Sequence, residues 1–227
     1  MPRRCDDGAV SRTYDTRIPA ERAAGITAAV DAERRGQLVV MPTDTVYGIG
    51  ADAFDRRAVA DLLAAKGRGR DMPVPVLIGS WRTLDGLVMS LSPTTRGLIE
   101  AFWPGGLTLV VEHAPSLSWD LGDAYGTVAV RMPLHPVALD ILTETGPMAV
   151  SSANASGMPP APTAAEAQAQ LGHHVEVYLE AGEAGVQVPS TIVDVTRSVP
   201  RVVRLGAVGL DALREVVPEV EAPEGAR

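Results

Sequence analysis

The five residues Lys66-Gly67-Arg68-Gly69-Arg70 place three cations between glycines in a chain whose 20 Lys+Arg and 28 Asp+Glu leave a net charge of −8. Arginine offers a planar fork for phosphate or carboxylate oxygens and lysine a compact point charge. The glycines allow close backbone approach, so this cluster is the strongest anion site in the sequence. The alternative is a basic helix end answering the helix dipole, worth ~0.3–1 kcal/mol. Three cations exceed that need. No GxxxxGK[ST] loop is present, so a polyphosphate held here would be held without a Walker loop.

Three further segments carry hydroxyls or charge where a buried strand gives way to a loop, a usual place for function. Pro42-Thr43-Asp44-Thr45-Val46-Tyr47-Gly48-Ile49-Gly50 combines two hydroxyls, a carboxylate and two glycines. Its Gly48-x-Gly50-x-x-Ala53 spacing imitates a dinucleotide-binding fingerprint, but six residues separate it from the preceding strand, and Asp52 and Asp55 would repel a pyrophosphate. Ser151-Ser152-Ala153-Asn154-Ala155-Ser156-Gly157 presents groups that donate and accept. A serine nucleophile here would lack the G-x-S-x-G elbow, with His135 as the one candidate base. Arg131, alternating with Val128 and Val130, either clamps a carboxylate or points to solvent. Ser190-Thr191-Ile192-Val193-Asp194 and Arg204 are equally open. His113, His135, His173 and His174 do not combine with Cys5 or acids into metal-ligand spacing, so no protein-held metal is expected.

The elements that must position these groups follow from periodicity and punctuation. Helices are expected over Pro19 to Arg35, Arg57 to Ala65, Ser92 to Trp103, Pro136 to Thr145, Thr163 to Leu171 and Leu210 to Val217. Ser92-Pro93 and the Thr163/Glu166 pair read as helix starts. Strands are expected over Gln37 to Met41, Val74 to Ile78, Leu107 to Glu112, Thr127 to Met132, Met148 to Ser151, Val175 to Leu179, Thr191 to Val195 and Arg201 to Arg204. The alternation predicts a single α/β domain with a twisted mixed sheet over 15–217, between a flexible leader (1–14) and a flexible tail (218–227). Cys5 lies in that leader without a partner for a disulfide.

At 227 residues, 46% hydrophobic and 21% charged, the chain should fold as a globular protein. No apolar run approaches the ~20 residues of a membrane helix, and residues 1–14 have no signal-peptide core, so a cytoplasmic location is expected. The acidic balance and the scarcity of aromatics (three Trp, four Tyr, two Phe) disfavour a phosphate-backbone groove with stacking platforms.

Taken in register along roughly residues 18 to 210, Pro42 to Gly50, Lys66-Gly67-Arg68, Phe102-Trp103-Pro104-Gly105-Gly106-Leu107-Thr108, Val128 to Pro133, Ser152 to Gly157 and Ser190 to Asp194 resemble the YrdC family. The resemblance implies a twisted α/β sheet around an open cavity and the activity of the short-form threonylcarbamoyl-AMP synthases. These make threonylcarbamoyl-AMP and pyrophosphate from L-threonine, bicarbonate and ATP with Mg²⁺, for a downstream tRNA threonylcarbamoyl transferase complex. By the same resemblance Lys66 and Arg68 are catalytic and, with Thr127, Ser152, Asn154 and Arg204, hold ATP. Thr45, Arg131 and Ser190 contact threonine, and Asp44 is a candidate outer-shell partner of the metal. Loss of Lys66 or Arg68 is expected to abolish turnover without unfolding the chain. Departures from the family pattern stand at Gly69, Met72, Leu77 and Pro189. Two other readings remain open: an RNA-binding module of this fold with weak tRNA contact, and a paralogue acting on another carboxylate or carbamoyl substrate.

Overall fold

The computed structural model describes residues 11–225. Ten strands form one mixed sheet: β1 (Arg12–Asp15), β2 (Val39–Met41), β3 (Gly48–Asp52), β4 (Val76–Leu77), β5 (Leu107–Glu112), β6 (Thr127–Arg131), β7 (Met148–Ser152), β8 (Val177–Glu180), β9 (Thr191–Asp194) and β10 (Arg201–Arg204). Their spatial order is β1-β8-β2-β3-β7-β4-β6-β5-β9-β10. Seven helices accompany them: α1 (Pro19–Arg34), α2 (Arg56–Lys66), α3 (Leu84–Leu87), α4 (Pro93–Phe102), α5 (Pro136–Thr145), α6 (Ala164–Leu171) and α7 (Leu210–Val216). The expected fold class, a single twisted mixed α/β sheet, is what the chain adopts.

Helix boundaries follow local chemistry. The Asp55 carboxylate accepts from the amides of Arg57 and Ala58 to start α2, and Gly67, at φ 62°, closes it in the left-handed region. Ser92 caps α4 through the Thr95 amide, with Pro93 in its first turn.

Alternation along the strands sorts the core into two layers. Val39, Met41, Leu77, Met148, Val150, Val177 and Leu179 pack with α1 and α5. Val40, Val76, Ala149, Tyr178, Leu107, Leu109, Val128 and Val130 face the opposite way, with α2, α4, α6 and α7. Thr108 and Arg131 therefore share the face that carries α1 and α5, in the half of the sheet those two helices do not cover. The cavity described below lies there.

Two expectations about the ends are corrected. Residues 12–14, assigned to the leader, are strand: β1 pairs in parallel with β8 from Arg12↔Val177 to Asp15↔Glu180, because Tyr14 packs on the α1/α5 layer. At the other end Val220 is buried and Glu221 bridges to Arg201 with an Nε–Oε2 distance of 3.0 Å, so the tail is anchored at its start. Cys5 lies outside the described residues. The sequence also missed β3, whose glycines and aspartate argue against a strand. Gly50 sits opposite Val150, and a Cβ there would meet Met148 and Val150 side chains at 3.0 and 3.3 Å, so glycine is what lets these strands pack.

Near the C-terminus of α1, Glu33 is 3% exposed. Burial first, then the charge of Asp52, pushes its carboxyl up to about 7, against a smaller opposing effect of Arg34. A carboxyl whose folded pKa is raised binds more protons in the folded chain than in the unfolded one between about pH 4.5 and 7. Stability from this group is present at acid pH and lost as pH rises through 7. Glu33→Gln should therefore stabilise the protein at pH 8, by on the order of 1–3 kcal/mol, and change little at pH 4.5. Thermal melts of both proteins across this range check it; a melting temperature that does not rise at pH 8 refutes it.

Candidate active site

The cavity, of about 140 Å³, opens on the uncovered half of the sheet. Gly48, Leu77, Pro75 and Val150 supply an apolar floor; Thr43, Thr45, Thr108, Ser151, Ser152 and Ser190 supply hydroxyls; Arg68, Arg131 and Arg204 supply charge. The space exists partly because residue 48 has no side chain: a Cβ there would stand 2.7 Å from Val150 Cγ1.

Arg131 is 6% exposed and its guanidinium is heavily committed. Nε donates to the Gly105 carbonyl (2.8 Å), one terminal nitrogen to Thr45 Oγ1 (2.8 Å) and the other to Asp44 Oδ1 (2.6 Å). Asp44 Oδ1 also accepts from the Leu134 amide at 2.8 Å. Burial lowers the Arg131 pKa, with the Asp44 carboxylate opposing and the Arg204 charge reinforcing it. Arg131 thus already has a carboxylate, supplied by the chain itself. It brings two remaining N–H donors to the cavity, while its net charge is neutralised. Asp44, tied to Arg131, is not a free metal partner.

Arg68 and Arg204 differ. Among the described residues neither has a carboxylate partner. Arg68 donates to Ser151 Oγ at 3.3 Å, and its Nε is buried with no acceptor. Arg204 donates to the Ser190 carbonyl at 2.6 Å. Its pKa is lowered by burial and then by the charge of Arg68. Two guanidiniums that repel each other across a cavity, one with an orphaned donor, are arranged for an anion that is absent from the chain itself.

Lys66 sits behind the wall. It is 1% exposed, and Nζ donates to the Ser152 carbonyl, to the Asn154 carbonyl (2.5 Å), to Asn154 Oδ1 (3.2 Å) and weakly to Ser152 Oγ (3.4 Å). Burial, then the Arg68 charge, pulls its pKa down to about 7. Asn154, also buried, spends its amide on the carbonyls of Ala155 (3.0 Å) and Met158 (2.8 Å). Lys66 and Asn154 therefore hold the loop after β7, and Ser152 alone of the Ser152/Asn154 pair lines the cavity.

Thr127 is not brought to the cavity. It stands at the far end of β6, four residues or roughly 13 Å from Arg131, where its hydroxyl donates to the Ala124 carbonyl at 2.7 Å and shapes a turn. Ser190 and Thr45 do line the cavity: Ser190 Oγ is 2.8 Å from Thr108 Oγ1, and Thr45 Oγ1 is 3.1 Å from Thr43 Oγ1. Thr43 and Ser151 belong to hydroxyl-bearing segments that the sequence singles out without assigning either a role, and Thr108 was given none. Each lies within or beside a quoted motif, and strand parity would have placed Thr108 on the same face as Arg131. Of the departures, Leu77 and Pro189 line the cavity; Met72 is exposed.

Comparison with known proteins adds an independent line. The family model for the Sua5/YciO/YrdC domain, described as telomere recombination, matches residues 31–206. A Mycobacterium tuberculosis (strain ATCC 25618 / H37Rv) protein, named as a provisional threonylcarbamoyl-AMP synthase, is 62% identical over 208 residues, covering 92% of this chain and 96% of its own length. The threonylcarbamoyl-AMP synthase of Bacillus subtilis (strain 168) is 36% identical over 195 residues, 85% of this chain and 56% of that protein. Among solved structures, Pyrococcus abyssi Sua5 complexed with L-threonine superposes with a TM-score of 0.84 at 35% identity, covering 87% of this chain and 58% of that one. By its matched domain, its relatives and its sheet, this chain belongs to the Sua5/YciO/YrdC family.

Proposed function

We propose that the chain is a threonylcarbamoyl-AMP synthase, joining L-threonine, bicarbonate and ATP into threonylcarbamoyl-AMP and pyrophosphate. The observation that carries the reading is the pair Arg68 and Arg204, converging without carboxylate partners on a hydroxyl-lined cavity. Relatives bearing that activity and a related structure with L-threonine support the substrates.

The chemistry asks for positioning and charge rather than a protein nucleophile. The threonine amine adds to the carbon of bicarbonate, water leaves, and a carbamate forms. A carbamate oxygen attacks the α-phosphorus, the bond to the β-phosphate oxygen breaks, and pyrophosphate departs. Arg68 and Arg204 neutralise the phosphate charge that builds in this step. Ser151 and Ser152 orient the nucleotide from the end of β7, with Lys66 and Asn154 fixing the loop behind them. Thr45, Ser190 and the two free N–H groups of Arg131 orient threonine.

Magnesium would enter with the nucleotide, held by phosphate and water oxygens, and would supply further charge neutralisation there. Among the described residues no group of three or more His, Cys, Asp or Glu side chains could hold a metal ion. The product serves a transferase acting on tRNA. The cations Arg68, Arg131 and Arg204 converge on one cavity, an arrangement suited to a small anion rather than a tracking strand. Among the described residues no helix is long and apolar enough to cross a membrane.

The test is pyrophosphate release from ATP, Mg²⁺ and bicarbonate with L-threonine, with serine, and with neither. Threonine-dependent release is expected. ATP hydrolysis indifferent to threonine would overturn the reading in favour of another acceptor, and tRNA binding without turnover would favour the RNA-binding module.

A further inference from the structure

Residues 181–190, between β8 and β9, run past the Asp44 turn and end inside the cavity at Pro189 and Ser190. Ties at the start and in the middle set their course. At the start, Tyr47 is fully buried, and its hydroxyl donates to the Gly182 carbonyl (2.7 Å) and accepts from the Ala181 amide (2.9 Å). Glu180 supports the same corner: Oε1 accepts from the Gly182 amide (2.5 Å) and Oε2 from the Ala164 amide (3.1 Å). In the middle, the Ala184 amide donates to the Pro162 carbonyl (2.7 Å) and the Val186 amide to the Asp44 carbonyl (3.2 Å). Gly185 lies so close to Asp44 that a Cβ would drive into the Asp44 carbonyl group.

Gln187, at φ 53°, takes a left-handed conformation that a side chain disfavours. Such a conformation persists where surrounding contacts over-determine it. The segment is thus a fixed wall, and its course is imposed from outside.

The residue it presses on is the one that matters. Asp44 holds Arg131, and Arg131 holds Thr45, while the far end of the segment delivers Ser190. All three residues given to threonine under the proposed function depend on this wall. Among the described residues Arg68 and Ser152, on the nucleotide side, make no hydrogen bond to it, whereas Arg204 touches its far end by donating to the Ser190 carbonyl at 2.6 Å.

We infer that Tyr47 and Gly185 are positioning residues for the threonine half of the site: they seat the 181–190 segment against Asp44 and so hold Arg131, Thr45 and Ser190 in place. The inference rests on the synthase reading. It weights the two substrates unequally, which a purely structural role would not do: all three threonine residues depend on the segment, and on the nucleotide side Arg204 meets it at the Ser190 carbonyl.

Tyr47→Phe keeps the ring and deletes the hydroxyl; Gly185→Ala forces the segment off Asp44. For both, steady-state pyrophosphate release should show the KM for L-threonine raised by about tenfold, with the KM for ATP and the kcat at saturating threonine changed less than about threefold. Tyr47→Phe guards against a Gly185→Ala protein that does not fold. Equal rises in both KM values, or a threonine KM unchanged in a folded Tyr47→Phe protein, would overturn the inference. If the wild type itself shows no threonine-dependent release, the synthase reading fails, and the inference with it.

Discussion

Arg68→Ala is expected to lower threonine-dependent pyrophosphate release by about 10²–10³-fold, the usual consequence of removing one donor aimed at developing charge, while the melting temperature stays within about 2 °C of wild type. Arg68 is half-buried and among the described residues its side chain makes one long hydrogen bond, 3.3 Å to Ser151 Oγ, so the folded chain loses little with it. Truncation also removes a buried Nε that has no acceptor and relieves the repulsion with Arg204. These effects favour the folded state and leave the loss to the reacting complex. Initial rates at saturating and subsaturating ATP, beside a thermal melt, decide it. Near-normal turnover in the folded variant would remove Arg68 from the site and take the central observation of the proposed function with it.

Lys66→Ala is expected to behave differently, although the two residues share one short motif. The lysine fills buried space and is the donor for two backbone carbonyls and the Asn154 amide oxygen. Losing a donor costs about 1–3 kcal/mol for each buried acceptor left unmade. With the new cavity added, a loss of about 3–5 kcal/mol follows, or a melting temperature lower by roughly 10 °C at this chain length. Turnover should fall as well, because Ser152 rides on the loop that Lys66 holds. Lys66→Met, which restores volume without the donor, should recover part of the stability and none of the activity. This departs from the expectation that both cations could be removed without cost to the fold. A Lys66→Ala protein of wild-type melting temperature and no activity would return the lysine to direct contact with the nucleotide.

The two cations show how far the sequence could be read. A basic cluster between glycines at a helix end was legible because charge density and spacing survive in one dimension. Which of Lys66 and Arg68 faces the cavity was not, since that depends on where the β7 loop passes, about 86 residues further along. Arg131 shows the same division. Strand alternation put it on a definite face, but its carboxylate partner arrives from a turn 87 residues away, so the sequence left open whether it would meet a ligand or solvent. Helices were legible nearly to the residue where caps are local, as at Ser92, Thr163 and Pro136. The strands β1 and β3 were missed because short polar or glycine-rich segments become strands only beside neighbours distant in sequence. Thr127 illustrates the limit of resemblance, as motif position placed it near ATP whereas the geometry of β6 puts it at the opposite end from Arg131.

The parallel pairing of β1 with β8 carries a consequence for synthesis. Ser11, just before β1, donates to the Val175 carbonyl, 164 residues further along, and β2 also finds a partner in β8. While the chain emerges from the ribosome, the first two strands wait with open edges until β8 has been made. Contacts of such separation close late and slowly, and unpaired edges invite association with other chains in the interval. Arg204 on β10 completes the cavity, so a nascent chain has neither a full sheet nor a competent pocket until β10 has been made.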